Sequence, residues 1–275
     1  MSHIADAPAA AAAPPEPRGY AGVNWLGLKT LYLREVRRFW KVGMQTVAAP
    51  VVTTLLYMLI FVVATQGARG VVAGVSYAGF IAPGLVMMAI LNNAFANASS
   101  SLIQAKIMGT APDFLTPPLT PAELAAGFSL GAATRGVFVG LITALAVIPF
   151  AGFHMAQPWA VVFYSLGAAL MLGMVGVLAG VWAEKFDHLA TVTNFVIMPL
   201  TFLSGTFYQV GRLPEPFATA SHYNPFFYLI DGLRYGYIGH ADGSLAVGVV
   251  MTLVLNALLA VACWRLFKSG WRLKS

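Results

Sequence analysis

Apolar residues occur in six long runs that polar residues interrupt only sparsely. The runs cover approximately residues 47–65, 77–103, 122–151, 159–182, 190–208 and 245–264. A helix of about 20 apolar residues crosses the hydrocarbon core of a bilayer, which is roughly 30 Å thick. The runs do not alternate apolar and polar residues as the strands of a membrane barrel do. The pattern therefore predicts an all-α membrane protein with six transmembrane helices.

A further helical pattern, over residues 24–42, precedes the first run. At about 100° per residue, one face carries the apolar and aromatic side chains of Trp25, Leu28, Tyr32, Val36 and Phe39. The opposite face carries Arg34, Arg37, Arg38 and Lys41. This division is typical of a helix that lies in the membrane interface. We expect an interfacial amphipathic helix that fixes the topology, with its basic residues as candidate contacts for a cytoplasmic partner.

Composition and charge agree with a membrane location. Only 9% of the 275 residues are charged and the mean hydropathy is +0.75, whereas soluble domains have about 25% charged residues. The net charge is +6, and the basic residues that produce it cluster beside the apolar runs. This distribution indicates orientation in a membrane rather than nucleic-acid binding. With the N-terminus inside, twelve of the 16 Lys and Arg residues are cytoplasmic and three are outside. We expect both termini to lie on the cytoplasmic side of a bacterial inner (plasma) membrane.

The chain begins with a segment rich in alanine and proline. Its first basic residue is Arg18, and it lacks the leucine-like apolar centre of a secretory signal. We expect residues 1–20 to form a disordered cytoplasmic tail and residues 21–275 to form a single transmembrane domain.

The loop after the second run is bounded by prolines. Thr120, Pro121 and Glu123 provide the N-cap, first-turn proline and capping-box acid of a helix that starts here. Residues 109–119 then form a short cytoplasmic element, in which we expect the side chains of Phe114 and Leu115 to be exposed beside Asp113, together with that of Leu119. Exposed apolar side chains on a rigid element favour a docking surface. An ordinary stiff loop is the alternative.

The segment over residues 209–243 is too short and too polar to span, and too aromatic for a free loop. A pair of short re-entrant or interfacial helices on the outer side fits this composition, because Tyr and Phe prefer headgroup depth. Pro225 is expected to open the second of these helices.

The chain lacks the motifs of ATP hydrolysis and of metal binding. Lys268 and Ser269 are not preceded by the glycines of a phosphate-binding loop, so the chain is not expected to be an enzyme. The five histidines are scattered, and Glu184, Asp187 and His188 are too few for a metal–pyrophosphate site. We expect neither a cofactor nor a metal in this chain.

A few polar residues interrupt the apolar runs. Asn93 and Asn97 are four apart and share a helix face, Arg135 lies within the third run, and Thr201 lies in the fifth. Such residues face other helices or a cavity in a membrane protein. They are candidates for lining a substrate path, with interhelical hydrogen bonding as the alternative.

The order of these features resembles the permease subunits of ABC type-2 transporters. The resemblance covers nearly the whole chain from Trp25 onward. The matching residues are Pro83-Gly84, Gly109-Thr110, Phe114-Leu115-Thr116-Pro117, Pro199-Leu200, Leu203-Ser204-Gly205, Phe207-Tyr208, Asn224-Pro225 and Asp231-Gly232-Leu233-Arg234-Tyr235. Pro112 departs from the family pattern, which more often continues a helix with a leucine-like residue.

The resemblance implies a division of labour between subunits. Two permease copies would form the pathway, most simply as a homodimer, and separate ATP-binding cassette subunits would bind ATP and magnesium. Substrates would be exported glycans, lipids or drugs. The coupling element that docks the ATPase would consist of Gly109, Thr110, Asp113, Phe114, Leu115, Thr116 and Pro117. If the second and fifth helices line the interface between copies, Asn93, Asn97 and Thr201 would line the path.

Two other functions remain open from the residues alone. A membrane-embedded transferase acting on lipid-linked precursors would require a cluster of acids, and Glu184 with Asp187 is the nearest approach to one. An ion-coupled secondary transporter would require ionisable groups near the bilayer midplane, for which Arg135 is the candidate.

Overall fold

The computed structural model describes residues 22–64, 72–152 and 155–273, so the predicted tail over residues 1–20 lies outside the described residues. The long helices are α1 (Trp25–Lys41), α2 (Gly43–Ala64), α3 (Tyr77–Ile107), α5 (Pro121–Ala151), α6 (Pro158–Trp182) and α11 (Leu245–Ser269). The shorter helices are α4 (Pro112–Leu115), α7 (Phe186–Val192), α8 (Met198–Phe202), α9 (Phe217–Tyr223) and α10 (Pro225–Ile238).

Five of the described helices are long and apolar enough to cross a membrane, namely α2, α3, α5, α6 and α11. They coincide with five of the six apolar runs, which confirms an all-helical protein with several membrane-spanning helices. The remaining run, residues 190–208, is not a single long helix.

That run is broken into short helical pieces. A π-helix over Thr193–Ile197 connects α7 to α8. Pro199 has no N–H to donate to the preceding turn and its ring crowds that turn, so the helix is locally widened just before it. The chain then turns at Gly205, whose φ of +72° is readily adopted by glycine alone.

Helix α3 is the centre of the bundle. In the most apolar part of α3, 89% of residues are buried, against 17% for α2 and 11% for α11. Helices α5 and α6 pack closely on α3 through glycines: a Cβ on Gly176 would lie 2.6 Å from the carbonyl oxygen of Phe95. The small residues therefore set the close approach of the helix axes.

Helix α1 packs against the bundle through one side. A Cβ on Gly127 would lie 2.6 Å from Leu31 Cδ2, and one on Gly131 would lie 2.5 Å from Glu35 Cβ. The buried residues of α1 are Leu31, Glu35 and Phe39, so the packed side only partly matches the predicted apolar face. Trp25 is 72% exposed.

Helices α9 and α10 lie where the sequence predicts two short helices. Asn224 caps α10, with its side-chain oxygen accepting a hydrogen bond from the N–H of Phe226, and Pro225 is the first residue of α10, as predicted.

Candidate functional site

The bundle has two structured ends. The α4 end comprises α1, α4, the start of α5 and the C-termini of α3, α6 and α11. The α10 end comprises the start of α3, residues 203–208, α10 and residues 239–244. The predicted docking residues lie at the α4 end.

A carboxylate joins three segments at the α4 end. Oε1 of Glu123 accepts a hydrogen bond of 2.6 Å from the backbone N–H of Asn24, and Oε2 accepts one of 2.7 Å from the N–H of Thr120. Thr120 Oγ1 in turn accepts from the N–H of Glu123, so the predicted capping box is confirmed. The Asn24 side chain donates to the carbonyl of Pro118 at 3.1 Å. Glu123 and Asn24 thus fix the start of α1, the α4 loop and α5 to one another.

The aromatic ring of Phe114 makes the second contact that holds α4 in place. Phe114 is only 2% exposed, and its ring meets that of Phe128 edge-on at 5.2 Å. The guanidinium of Arg34 lies 5.5 Å from the centre of the same ring. The expectation that Phe114 is exposed is therefore wrong: the short helix turns this ring inward, onto α5, because burial of an aromatic side chain is strongly favourable. Leu115 and Leu119 are partly buried.

The exposed surface of the α4 loop is made of other residues. From the predicted coupling element, the exposed members are Gly109, Thr110, Asp113, Thr116 and Pro117. Ile107 and Met108, at the end of α3, are 57% and 65% exposed. These two side chains, missed by the sequence analysis, provide the apolar part of the surface.

The four basic residues of α1 have different surroundings. Arg37 and Lys41 are exposed, and Arg34 is partly buried above Phe114. Arg38 instead points into the bundle, where Nη2 donates to Oδ1 of Asn97 at 3.0 Å. Arg34, Arg37 and Lys41 thus remain available at the surface, whereas Arg38 is held by internal contacts.

Arg38 belongs to a buried polar cluster between α1 and α3. Its guanidinium lies 3.4 Å from Oε2 of Glu35, and it also donates to Oγ of Ser100 at 3.2 Å. Glu35 is fully buried and accepts a hydrogen bond of 2.8 Å from Ser101. A buried carboxylate requires such partners. The position of Glu35, one turn after Leu31 on the packed side of α1, is the sequence signal that could have identified it.

The three candidate path-lining residues lie apart. Asn97 is fully buried under Arg38, whereas Asn93 contributes to the wall of an open cleft of about 220 Å³ between α2 and α3. Thr201 is fully buried and donates to the carbonyl of Ile197 at 2.6 Å. Asn93 alone of the three borders the cleft.

A second buried charge lies at the α10 end. Arg234 is 0% exposed; Nη2 donates to the carbonyl of Gly205 at 2.6 Å, and the guanidinium lies 4.1 Å from the centre of the Phe80 ring. Its Nη1 lies 3.9 Å from Asp231 and 3.8 Å from Asp242, distances of ion pairs without a hydrogen bond. Burial raises the pKa of the Asp231 carboxyl, although the N–H groups of Asp242 and Gly243 act in the opposite direction.

Two cations hold the C-terminus of α6. Lys106 donates to the carbonyl of Val181 at 2.6 Å and also to that of Ala183. Arg272 donates to the carbonyl of Trp182 at 2.8 Å and pairs with Glu184 at 3.1 Å. Positive charge at the carbonyl end of a helix is stabilising. Glu184 is thus paired with a basic residue, and the part of the chain that the structure describes holds no group of three metal ligands.

Comparison with known proteins adds independent findings. The model of the family described as ABC-2 type transporter matches residues 27–238. The chain is 35% identical over 252 residues to the inner membrane transport permease YadH of Escherichia coli K12, covering 91% of this chain and 98% of that protein. It is 23% identical over 252 residues to nodulation protein J of Rhizobium leguminosarum bv. viciae, covering 89% and 95%.

Proposed function

Because the chain belongs to the ABC-2 type transporter family and is a multi-pass inner-membrane transport permease, we propose that it is the membrane half of an ATP-driven exporter. It forms the path for an amphipathic substrate, a glycan, lipid or drug, and a separate ATP-binding cassette subunit supplies the energy. Family membership favours this function over the lipid-precursor transferase and the ion-coupled carrier.

The proposal rests on one observation, the set of contacts that attach α4 to α1 and α5. Glu123 and Asn24 connect the α4 loop to α1 and α5 by hydrogen bonds, and Phe114 anchors α4 onto Phe128. A partner that displaces α4 from its exposed side therefore displaces α1 and α5 as well, instead of only deforming the α4 loop. This is the mechanical property that a coupling element needs.

The finer topology is part of the same proposal. Residues 186–208, with their broken helix, serve as a sixth crossing, α1 lies at the membrane interface, and α9 with α10 re-enter from the outer side. Exposed basic residues at the α4 end support a cytoplasmic location for that end and for both termini. They are Lys29, Arg37, Lys41, Lys185, Arg265, Lys268 and Arg272.

A transport cycle follows from this arrangement. ATP binding draws two ATPase subunits together and displaces the α4 loops of two permease copies. Since α5 moves with α4, the two helix bundles separate along their interface and the substrate passes outward. The poorly buried helix α2 and its cleft with α3 support a path on that side of the bundle.

Gentle purification of the tagged chain from its native membranes tests the proposal. We expect a stoichiometric ATPase to accompany the chain, detected by mass spectrometry and by ATP hydrolysis per mole of permease. Asp113→Arg, at an exposed position of α4, should lower the retained ATPase at least about tenfold, which is about 1.4 kcal/mol of binding free energy.

The matched control is Glu215→Arg, which reverses an exposed acid outside the α4 end. It should leave the amount of retained ATPase unchanged. Recovery of the wild-type chain without any ATPase, under conditions that preserve other membrane complexes, would contradict the proposal.

A further inference from the structure

Arg135 is a charged residue in the middle of α5, which with α3 is one of the two longest described helices. It is residue 15 of the 31 in α5, so it lies about 20 Å from either end. Within the described residues it forms no ion pair, and its guanidinium makes one hydrogen bond, from Nη2 to Oδ1 of Asn93 at 3.4 Å. Nε of Arg135 is buried without a protein partner. A guanidinium held between helices of a membrane protein is costly when no opposite charge compensates it, and such a residue marks a candidate functional position.

The neighbouring charges do not neutralise Arg135. Asn93 and Asn97 are one turn apart on α3, and Asn97 bonds the second arginine, Arg38. The cluster therefore contains two guanidiniums and one carboxylate, that of Glu35, which is already bound by Arg38 and Ser101. The Nδ2 donor of Asn97 is also buried without a partner. The cluster thus carries more positive than negative charge, and this excess favours a negatively charged group close to it.

Arg234 provides the contrast within the same chain. It is buried more completely than Arg135, and its Nη1 also lacks a hydrogen bond. Its charge, however, is compensated by two carboxylates, two carbonyl oxygens and an aromatic ring. A buried arginine with a purely structural role is compensated in this way. Arg135 has no such set of partners among the described residues.

The open cleft leads to Asn93, the partner of Arg135. Its volume is about 220 Å³. Polar side chains form one part of its wall, those of Thr53, Thr54, Asn92 and Asn93. Apolar side chains form another part, those of Leu85, Met88 and Met198. A cleft with a polar patch beside an apolar wall suits a molecule that has both a headgroup and a hydrocarbon chain.

We propose that Arg135, with Asn93, selects substrates whose headgroup carries a negative charge, such as a phosphate or carboxylate amphipath, bound in the cleft between α2 and α3. This inference rests on the proposed transport function and names the substrate class within it. The headgroup lies beside Asn93, where the charge of Arg135 behind that side chain attracts it, and the hydrocarbon chain of the substrate lies against the apolar wall.

Native mass spectrometry of the purified full chain tests this selection with two probes that share one acyl chain. The anionic probe is palmitoyl lysophosphatidic acid and the neutral probe is monopalmitoyl glycerol. We expect the wild type to bind the anionic probe at least about tenfold more tightly, which is about 1.4 kcal/mol of binding free energy, because the charge of Arg135 attracts the phosphate. Equal binding of the two probes would overturn the proposal.

Two variants remove the unneutralised charge by different routes. Arg135→Gln deletes it, and Asn93→Asp keeps the shape of the side chain while placing a carboxylate against Arg135. Both should reduce the preference for the anionic probe to within about twofold, since the attraction is electrostatic. If Arg135→Gln does not fold, Asn93→Asp provides the test. Arg212→Gln, at an exposed arginine, should keep the wild-type preference. Retention of the preference in a folded Asn93→Asp variant would contradict the proposal.

Two further measurements identify the source of the anion. Inorganic phosphate at millimolar concentration should not compete with the lysophosphatidic acid, because it lacks the chain. An equal concentration of phosphatidylglycerol should compete poorly; full competition would mean a resident membrane lipid instead of a substrate and would overturn the proposal. These measurements need no ATPase, so a failure to recover the ATPase subunit would leave their result unaffected.

Discussion

The two ends of the bundle are stabilised in different ways. At the α10 end, the fully buried Arg234 contacts carbonyl oxygens of Phe80 and Gly205 and faces Asp231 and Asp242. At the α4 end, helix caps and one aromatic contact hold α4 against the bundle, and the outward side of α4 stays exposed.

Under the proposed function, this difference distinguishes a structural anchor at the α10 end from a docking surface at the α4 end. The groups around Arg234 are directed at one another, so few of them are available to another molecule. The groups at the α4 end are fixed from behind, by Glu123 and Phe114, while Thr110, Asp113 and Thr116 face outward. Rigid support behind an exposed surface is what a docking site requires.

Replacement of Arg234 should give the largest loss of stability. Arg234→Met leaves the buried Asp231 and the partly buried Asp242 without their cation, which costs about 3–5 kcal/mol. Denaturant unfolding of the purified chain in mild detergent measures this loss. Arg212→Met, at an exposed arginine, should stay within about 0.5 kcal/mol of the wild type. Equal losses for the two variants would show that the α10 end is not anchored by Arg234.

Truncation of Phe114 should give the next largest effect. Phe114→Ala removes a ring that is 2% exposed and should lower the free energy of unfolding by about 3 kcal/mol. Its neighbour in the same helix, Asp113→Ala, should change stability by less than about 0.5 kcal/mol because Asp113 is exposed. If the two variants were equally stable, Phe114 would not anchor α4.

The caps at Glu123 should contribute less than either of these. Glu123→Ala leaves the N–H groups of Asn24 and Thr120 without their acceptor and should cost about 2 kcal/mol. Glu123→Gln keeps one side-chain oxygen and should cost about half as much. Hydrogen exchange at these two amides reports the same loss locally, and an unchanged exchange rate in Glu123→Ala would contradict the role assigned to the carboxylate.

Local signals in the sequence predicted much of this fold. Five helices follow the apolar runs, and the start of α5 follows from Thr120, Pro121 and Glu123, because a capping box is contained within four residues. The start of α10 follows from Asn224 and Pro225 for the same reason.

Features that depend on distant contacts were not predictable in this way. Phe114 is buried because Phe128 and Arg34 approach it from other helices, which the spacing within the α4 loop does not reveal. The bond between Glu123 and Asn24 joins residues 99 positions apart. The break before Pro199 was missed because high hydropathy alone does not report the lost N–H donor.

Site-directed photo-crosslinking in intact cells tests the docking assignment most directly. A photoreactive phenylalanine analogue at Asp113 samples the exposed rim of α4, and the same analogue at Tyr223, which is 83% exposed, samples α9. We expect a crosslink from position 113 to an ATP-binding cassette subunit and none from position 223. A crosslink to the ATPase from position 223, with none from position 113, would contradict the assignment of the α4 end as the docking surface.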